Sequence, residues 1–506
     1  MKPNQESRRN FLKNTGISVM AYLVIPSWVK GNEIKLGSNY PLHNIPVNKN
    51  LDAKWVKSLY QRGLPTTYLK SKNELKYIGM PTGGLHSGSL YLGGDGRLWL
   101  WEIFNSDKEG IDPKTITWND GTTDRKIENR DGANYISPAI ASENRILAQG
   151  FALKIKIGDK TIIKELREED WEEISFEATY PLATVKYIDK NLPIEVTLKA
   201  GSFFTPLKSE DSSFPATFFN IDIKNNSTKQ VDVTLIGWLE NGSSKVTAKN
   251  SDGERVNSAI KNENHSSIFS SFKATNEEVK TRRDAGSMSL AIIGKNGLIN
   301  TNANPSSLKN QFFKADNQKV STNAADEKLI GSISTAFSLK PGKSRTTNYV
   351  VAWHFNHSLK KLNKKMPESE AGYYYGSRFK DAAEVVNYIA KNYKTLLSQT
   401  FLWQQTFFDS SLPHWFLERT FLNIGTIATA NTYRFASGRF WGWEGVNACA
   451  GTCTHVWQYG HTLARMFPDL ERETRERVDL GVGMRADGAI FFRGEFEPRP
   501  AIDGQA

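Results

Sequence analysis

Residues 438–460 read GRFWGWEGVNACAGTCTHVWQYG and set one carboxylate, Glu444, among glycines and tryptophans. A glutamate there gains nothing as packing, and a solvated glutamate needs no indoles beside it. Gly442 and Gly445 let the backbone approach a ligand ring closely. Trp441 and Trp443 supply walls that exclude water. The setting suits an ionised carboxylate held rigidly under a sugar. The residues alone leave a second reading open, in which Glu444 is a charge at a helix N-terminus or half of a loop ion pair.

Other chemistries find less material. The chain has two cysteines, Cys449 and Cys453. A C-x-x-x-C pair with His455 nearby is thin for zinc, so no cofactor or metal is expected. The thiols read as buried and free, or as a disulfide in an oxidising compartment. There is no Gly-rich phosphate loop, no H-E-x-x-H and no Gly-x-Ser-x-Gly. The net charge of +11 is spread along the chain, with Lys and Arg beside acids as in Lys164-Glu165 and Arg472-Glu473. Without a dense basic stripe, this is a solvated surface and not a nucleic-acid footprint.

The elements that must position such a site change character along the chain. At 506 residues, with 39% hydrophobic and 24% charged content, it is globular and long enough for at least two domains. From about residue 75 to 356 the pattern is β. Alternating runs at Ser89–Leu92 and Arg97–Phe104 flank Gly93-Gly94-Asp95-Gly96, a hairpin signal. Further runs follow, among them IEVTLKAG, TFFNIDIKN, VDVTLIGWLENG, SMSLAIIG and TTNYVVAWHF, and predict an antiparallel β-sandwich over residues 60–358. Residues 245–330, poor in apolar side chains, read largely as long surface loops.

Residues 359–380, polar and charged at their start, form the expected linker. Beyond it Ala382, Val385, Val386, Ile389, Tyr393, Leu396 and Leu397 fall at helical spacing. Asp409-Ser410-Ser411-Leu412-Pro413 breaks the chain, with Ser or Asp suited to a helix cap. A second helix is predicted from His414 to Asn431 and a third from Cys453 to Phe467, ended by Pro468. Residues 381–506 are thus the start of an all-α domain. The chain stops after so few helices that we expect it to be cut within that domain.

At the N-terminus, Ser7-Arg8-Arg9-Asn10-Phe11-Leu12-Lys13 precedes a short apolar run from about Gly16 to Val29. Arg8 and Arg9 match a twin-arginine export signal, and residues 1–31 read as that address. The run is too short for a membrane span, and no cysteine follows it to carry a lipid, so no stable membrane anchor is expected. The implied partner is the twin-arginine translocase, and the implied location the periplasm or the exterior of a bacterial cell.

Four stretches together resemble one family. They are GGLHSGSLYLGGDGRLWLWEIFN at 83–105, AWHFN at Ala352–Asn356, YYGSRFKDA at Tyr374–Ala382, and WEG followed by CTHVW within 443–457. In this order, over roughly residues 60–506, they resemble glycoside hydrolase family 116. This is the family of the bile-acid β-glucosidase, or non-lysosomal glucosylceramidase. The resemblance implies an N-terminal β-sandwich followed by an (α/α)6 barrel, here incomplete. It assigns the catalytic nucleophile to Glu444 and a carbohydrate as substrate. A retaining glycosidase places its two carboxyls about 5–5.5 Å apart. The family's acid/base aspartate, in a Thr-x-Asp context, would lie beyond Ala506, so the chain alone is expected to be inactive.

Two departures bear on substrate binding. His455 stands where the glucosylceramidase branch has an aspartate, and Pro500-Ala501-Ile502-Asp503 where that branch has Pro-His-Asp. His455 replaces the missing imidazole from another direction, signals a changed sugar preference, or is a core histidine satisfied by backbone. Asp503 and Trp443 complete the expected sugar contacts. Two other functions compete with an exported retaining β-glycosidase. One is a non-catalytic carbohydrate-binding protein with a degenerate helical domain. The other is a helical-barrel hydrolase with inverting chemistry.

Overall fold

In a computed structural model, the residues described are 49–59, 63–76, 78–105, 115–119, 124–128, 147–305, 312–313, 318–357, 372–442, 452–453 and 461–491. The chain divides into two units, Met1–Ser58 and Leu59–Ala506. In the first, a short helix, Ala53–Ser58, begins where Asp52 accepts a hydrogen bond from the Trp55 amide (2.8 Å).

The second unit is β-rich, with helices in its C-terminal part. Its main sheet has ten antiparallel strands. In spatial order they are Thr67–Leu69, Glu173–Thr179, Leu182–Ile188, Ile194–Gly201, Ala216–Asn225, Ser344–His354, Ser287–Ile293, His265–Ala274, Gly253–Lys261 and Val320–Ala324. A five-stranded sheet runs Leu298–Asn300, Ile330–Leu339, Val231–Glu240, Gln149–Ile157 and Lys160–Glu165. The two sheets face each other through an aromatic core. Phe151 meets Phe219 and Tyr349 with ring centroids 5.1 and 5.0 Å apart. The Tyr349 hydroxyl crosses to donate to the Ile333 carbonyl (3.0 Å).

The first hairpin forms where the glycines and Asp95 stand. Ser89–Gly93 pairs with Leu98–Glu102, and Gly96 takes φ +89°, a conformation a Cβ would strain. A third strand, Gly79–Thr82, completes a small sheet.

The long helix is Ala382–Phe408. Asp381 caps it by accepting from the Glu384 amide (2.9 Å), and the Glu384 carboxylate accepts from the Lys380 amide (2.8 Å). Its buried Val385, Val386, Ile389 and Tyr393 pack on Phe218, Ala291, Val350 and Ala352 of the outer face of the ten-stranded sheet, and on Phe203 just beyond a strand end. The runs TFFNI and YVVAW therefore lose the alternation of a one-sided strand, because both faces are covered there. Each fully buried Val or Ile contributes about 1.5–3 kcal/mol.

Three expectations need correction. Residues 245–330 are not mainly loops, since four strands of the main sheet lie within them. Some of their buried polar side chains find partners across the strands: Ser270 donates to the Asn257 side-chain oxygen (2.8 Å), and Asn257 donates to the Thr301 carbonyl (3.0 Å). The helix from His414 ends at Phe421 and tightens into a 3₁₀ segment, Leu422–Ala428. Its N-cap residue is Pro413, with no side-chain cap. Pro468 also does more than end a helix. His461–Met466 stops before it, and Pro468 occupies the first turn of the next helix, Pro468–Arg472, where its missing N–H costs nothing. The segments 358–371 and 454–460, holding most of the linker and the start of the third helix, lie outside the described residues.

Candidate active site: the Gly442–Thr452 neck

The described chain leading to Glu444 is a short hairpin, Thr432–Arg434 paired with Phe440–Gly442. At its end Gly442 is tied back. Its amide donates to the Thr452 hydroxyl (2.9 Å), and the Thr452 amide donates to the Gly442 carbonyl (2.9 Å). Thr452 is buried and has φ +56°. Gly442 and Thr452, the described residues on either side of 443–451, are thus joined by two hydrogen bonds.

Three quoted motifs converge on this hairpin. Tyr373 stacks on Tyr433 with centroids 4.0 Å apart, and on Tyr375 at 4.8 Å. The Tyr373 hydroxyl donates to Asn105 at the end of the first hairpin segment (2.9 Å). Asn105, itself at φ +57°, donates to the carbonyls of Arg283 (2.8 Å) and Phe355 (3.1 Å). The Tyr375 hydroxyl donates to the Phe355 carbonyl (2.9 Å), and Asn356 accepts from the Tyr373 amide (2.7 Å). Stretches over two hundred residues apart in sequence are joined here by hydrogen bonds and stacked rings.

The charged side of the hairpin is Arg434. It is buried with its guanidinium 3.7 Å from the Tyr374 ring centroid, and it donates to the Gly438 carbonyl and the Ser209 hydroxyl (3.3 Å each). Ser209 in turn donates to the Asp469 carboxylate. Burial lowers the Arg434 pKa against the pull of Tyr374, Asp469 and Glu210, yet a guanidinium remains cationic.

On the other side His86 enters from the Gly83–Gly88 loop. It is buried with φ +57°, a left-handed conformation that costs a side-chain-bearing residue roughly 1–2 kcal/mol. Its amide donates to the Ile427 carbonyl (2.9 Å), and its ring meets Phe440 edge-on at 5.0 Å. Nδ1 lies 3.0 Å from the Thr432 hydroxyl. That hydroxyl gives its one proton to the Ile427 carbonyl, so the histidine donates from Nδ1 and Nε2 is left as an acceptor. Nε2 has no partner among the described residues. Burial, aided by the Arg434 charge, pushes the His86 pKa well below its ordinary value and keeps the ring neutral.

Trp441 is buried against Phe435 and belongs to the aromatic cluster under the long helix. It packs as core, and the pocket-wall reading is not needed to explain it. Glu444, Trp443, His455 and Asp503 lie outside the described residues, as do Arg8, Arg9 and Cys449. Cys453 is buried. Among the described residues, no three His, Cys, Asp or Glu side chains gather as a metal site. Nor is any described helix long and apolar enough to cross a membrane. Sequence reading missed His86, Asn105, Thr452 and Arg434. The one signal available was a histidine and an asparagine at the two ends of a glycine-rich hairpin segment.

A family model described as beta-glucosidase 2, glycosyl-hydrolase family 116 N-terminal domain, matches residues 79–396, more than half of the chain. No curated protein matches. Solved structures share low similarity. One described as a kojibiose phosphorylase from the human microbiome is 13% identical with a TM-score of 0.30, covering 69% of this chain and 38% of that one. A family-36 α-galactosidase from Geobacillus stearothermophilus is 11% identical with a TM-score of 0.25, covering 56% and 40%. The chain therefore spans well under two thirds of either structure. Likenesses at these scores carry no argument about what the chain does.

Proposed function

The chain belongs to glycosyl-hydrolase family 116, and from that premise we propose that it is an exported retaining β-glycosidase using Glu444 as nucleophile. The observation that carries the reading is the neck formed by Gly442 and Thr452, immediately before Trp443-Glu444. A nucleophile must be held against the anomeric carbon with little freedom, and a closed, buried neck serves that need. Trp443, His455 and Asp503 are the proposed sugar contacts. The paired helices from Ala382 onward are read as the opening of an (α/α)6 barrel that follows a β-sandwich domain. The acid/base partner of Glu444 is proposed to be an aspartate. A retaining step carried by two carboxyl groups needs no cofactor.

In the full-length enzyme, Glu444→Ala should lower hydrolysis of a nitrophenyl β-glucoside at least about 1,000-fold. Added azide should then restore turnover, with a glycosyl azide as product. Unchanged hydrolysis in the variant removes Glu444 from the chemistry. A wild-type protein that binds glycans without turnover would support the binding-protein alternative. Export is tested separately: replacing Arg8 and Arg9 together by lysine should leave the precursor in the cytoplasm, and normal export would overturn that part.

A further inference from the structure

We propose that His86 is a positioning residue: its imidazole clamps the hairpin Thr432–Gly442, whose second strand precedes Trp443-Glu444 in the sequence. Three independent features point there. The residue holds a left-handed backbone at φ +57° where a glycine would sit without strain, and glycines flank it at Gly84 and Gly88. Strain retained at a buried position marks a side chain whose contacts outweigh it. Those contacts all reach the far part of the chain. The amide bonds to Ile427, Nδ1 donates to Thr432, and the ring lies against Phe440. Thr432 and Phe440 belong to the two strands of the hairpin, so one ring touches both. Finally, Nε2 is a buried acceptor with no donor among the described residues, a feature that packing alone does not call for. The ring acts through the hairpin and transfers no proton.

The kinetic part of this inference rests on the glycosidase reading, and the structural part does not. His86→Gly removes the ring and relieves the backbone. Its melting temperature should fall, because the lost ring contacts outweigh the relieved strain, while amide hydrogen exchange of peptides covering 430–452 rises about tenfold or more. Exchange elsewhere in the sheets should not change. In the active enzyme, kcat should fall about 10- to 100-fold with KM changed less than about twofold. Added imidazole should recover part of both losses by refilling the vacated space. His86→Asn, which tolerates the same backbone and keeps a polar side chain, should fall between the two. Unchanged exchange at 430–452 in both variants overturns the proposal. An inactive wild-type enzyme overturns the glycosidase reading and leaves the exchange result to decide this one.

Discussion

Asn105 shows how much a single side chain carries at the junction of the motifs. It holds two backbone carbonyls, accepts from Tyr373 and sits at φ +57°, a conformation asparagine tolerates better than most residues. Asn105→Ala loses the hydrogen bonds and strains the backbone, and should cost about 2–4 kcal/mol. Asn105→Gly loses the bonds only and should cost about 1 kcal/mol less. Urea denaturation of both variants gives the comparison; losses under about 0.5 kcal/mol in each would mean that the junction does not depend on this residue. At this scale Glu444 and its proposed sugar contacts remain arguments from sequence. Asn105, His86 and Arg434 are arguments from structure, since nothing local in the chain shows what they touch.

The long helix is the element whose origin is clearest. Its apolar stripe, its Asp381 cap and its burial on the ten-stranded sheet agree with one another. Asp381→Ala should lower stability by about 1 kcal/mol, while Asp381→Asn should be nearly neutral, as read by thermal or urea unfolding. Equal losses in the two would show that the charge matters and the hydrogen-bond acceptor does not. The next element was less legible. The apolar pattern after His414 continues past Phe421, yet the backbone tightens to a 3₁₀ segment. Its Ile427 carbonyl accepts from both the His86 amide and the Thr432 hydroxyl. The first of those bonds comes from a residue far outside any local sequence window.

Across the described residues, buried and half-buried histidines set a pH dependence. His86, His265, His354 and His357 all have pKa values lowered first by desolvation. In the unfolded chain they take up protons near pH 6.5, while the folded protein resists until lower pH. Between those limits the unfolded state binds more protons, so stability rises with pH. The contribution is complete above about pH 6.5 and is lost as pH falls through the folded values. The melting temperature should therefore be lower at about pH 5.5 than at about pH 7.5, and replacing His354 by glutamine should shrink the difference. A flat profile over that range would show that the histidines are not buried in neutral form.

The sequence by itself determined the sites of many of the strands and of the long helix, because side-chain periodicity and turn residues act over a few neighbours. It also determined the family, since four spaced motifs survive without any knowledge of contacts. The tertiary structure alone decided that the Ser-rich region 245–330 is sheet, because its hydrogen-bonding partners come from other strands. It alone joined Asn105, Phe355, Tyr373 and Tyr433 into one cluster, and closed the chain at Gly442 and Thr452. Burial and long-range pairing are properties of the folded chain as a whole, and no local pattern encodes them.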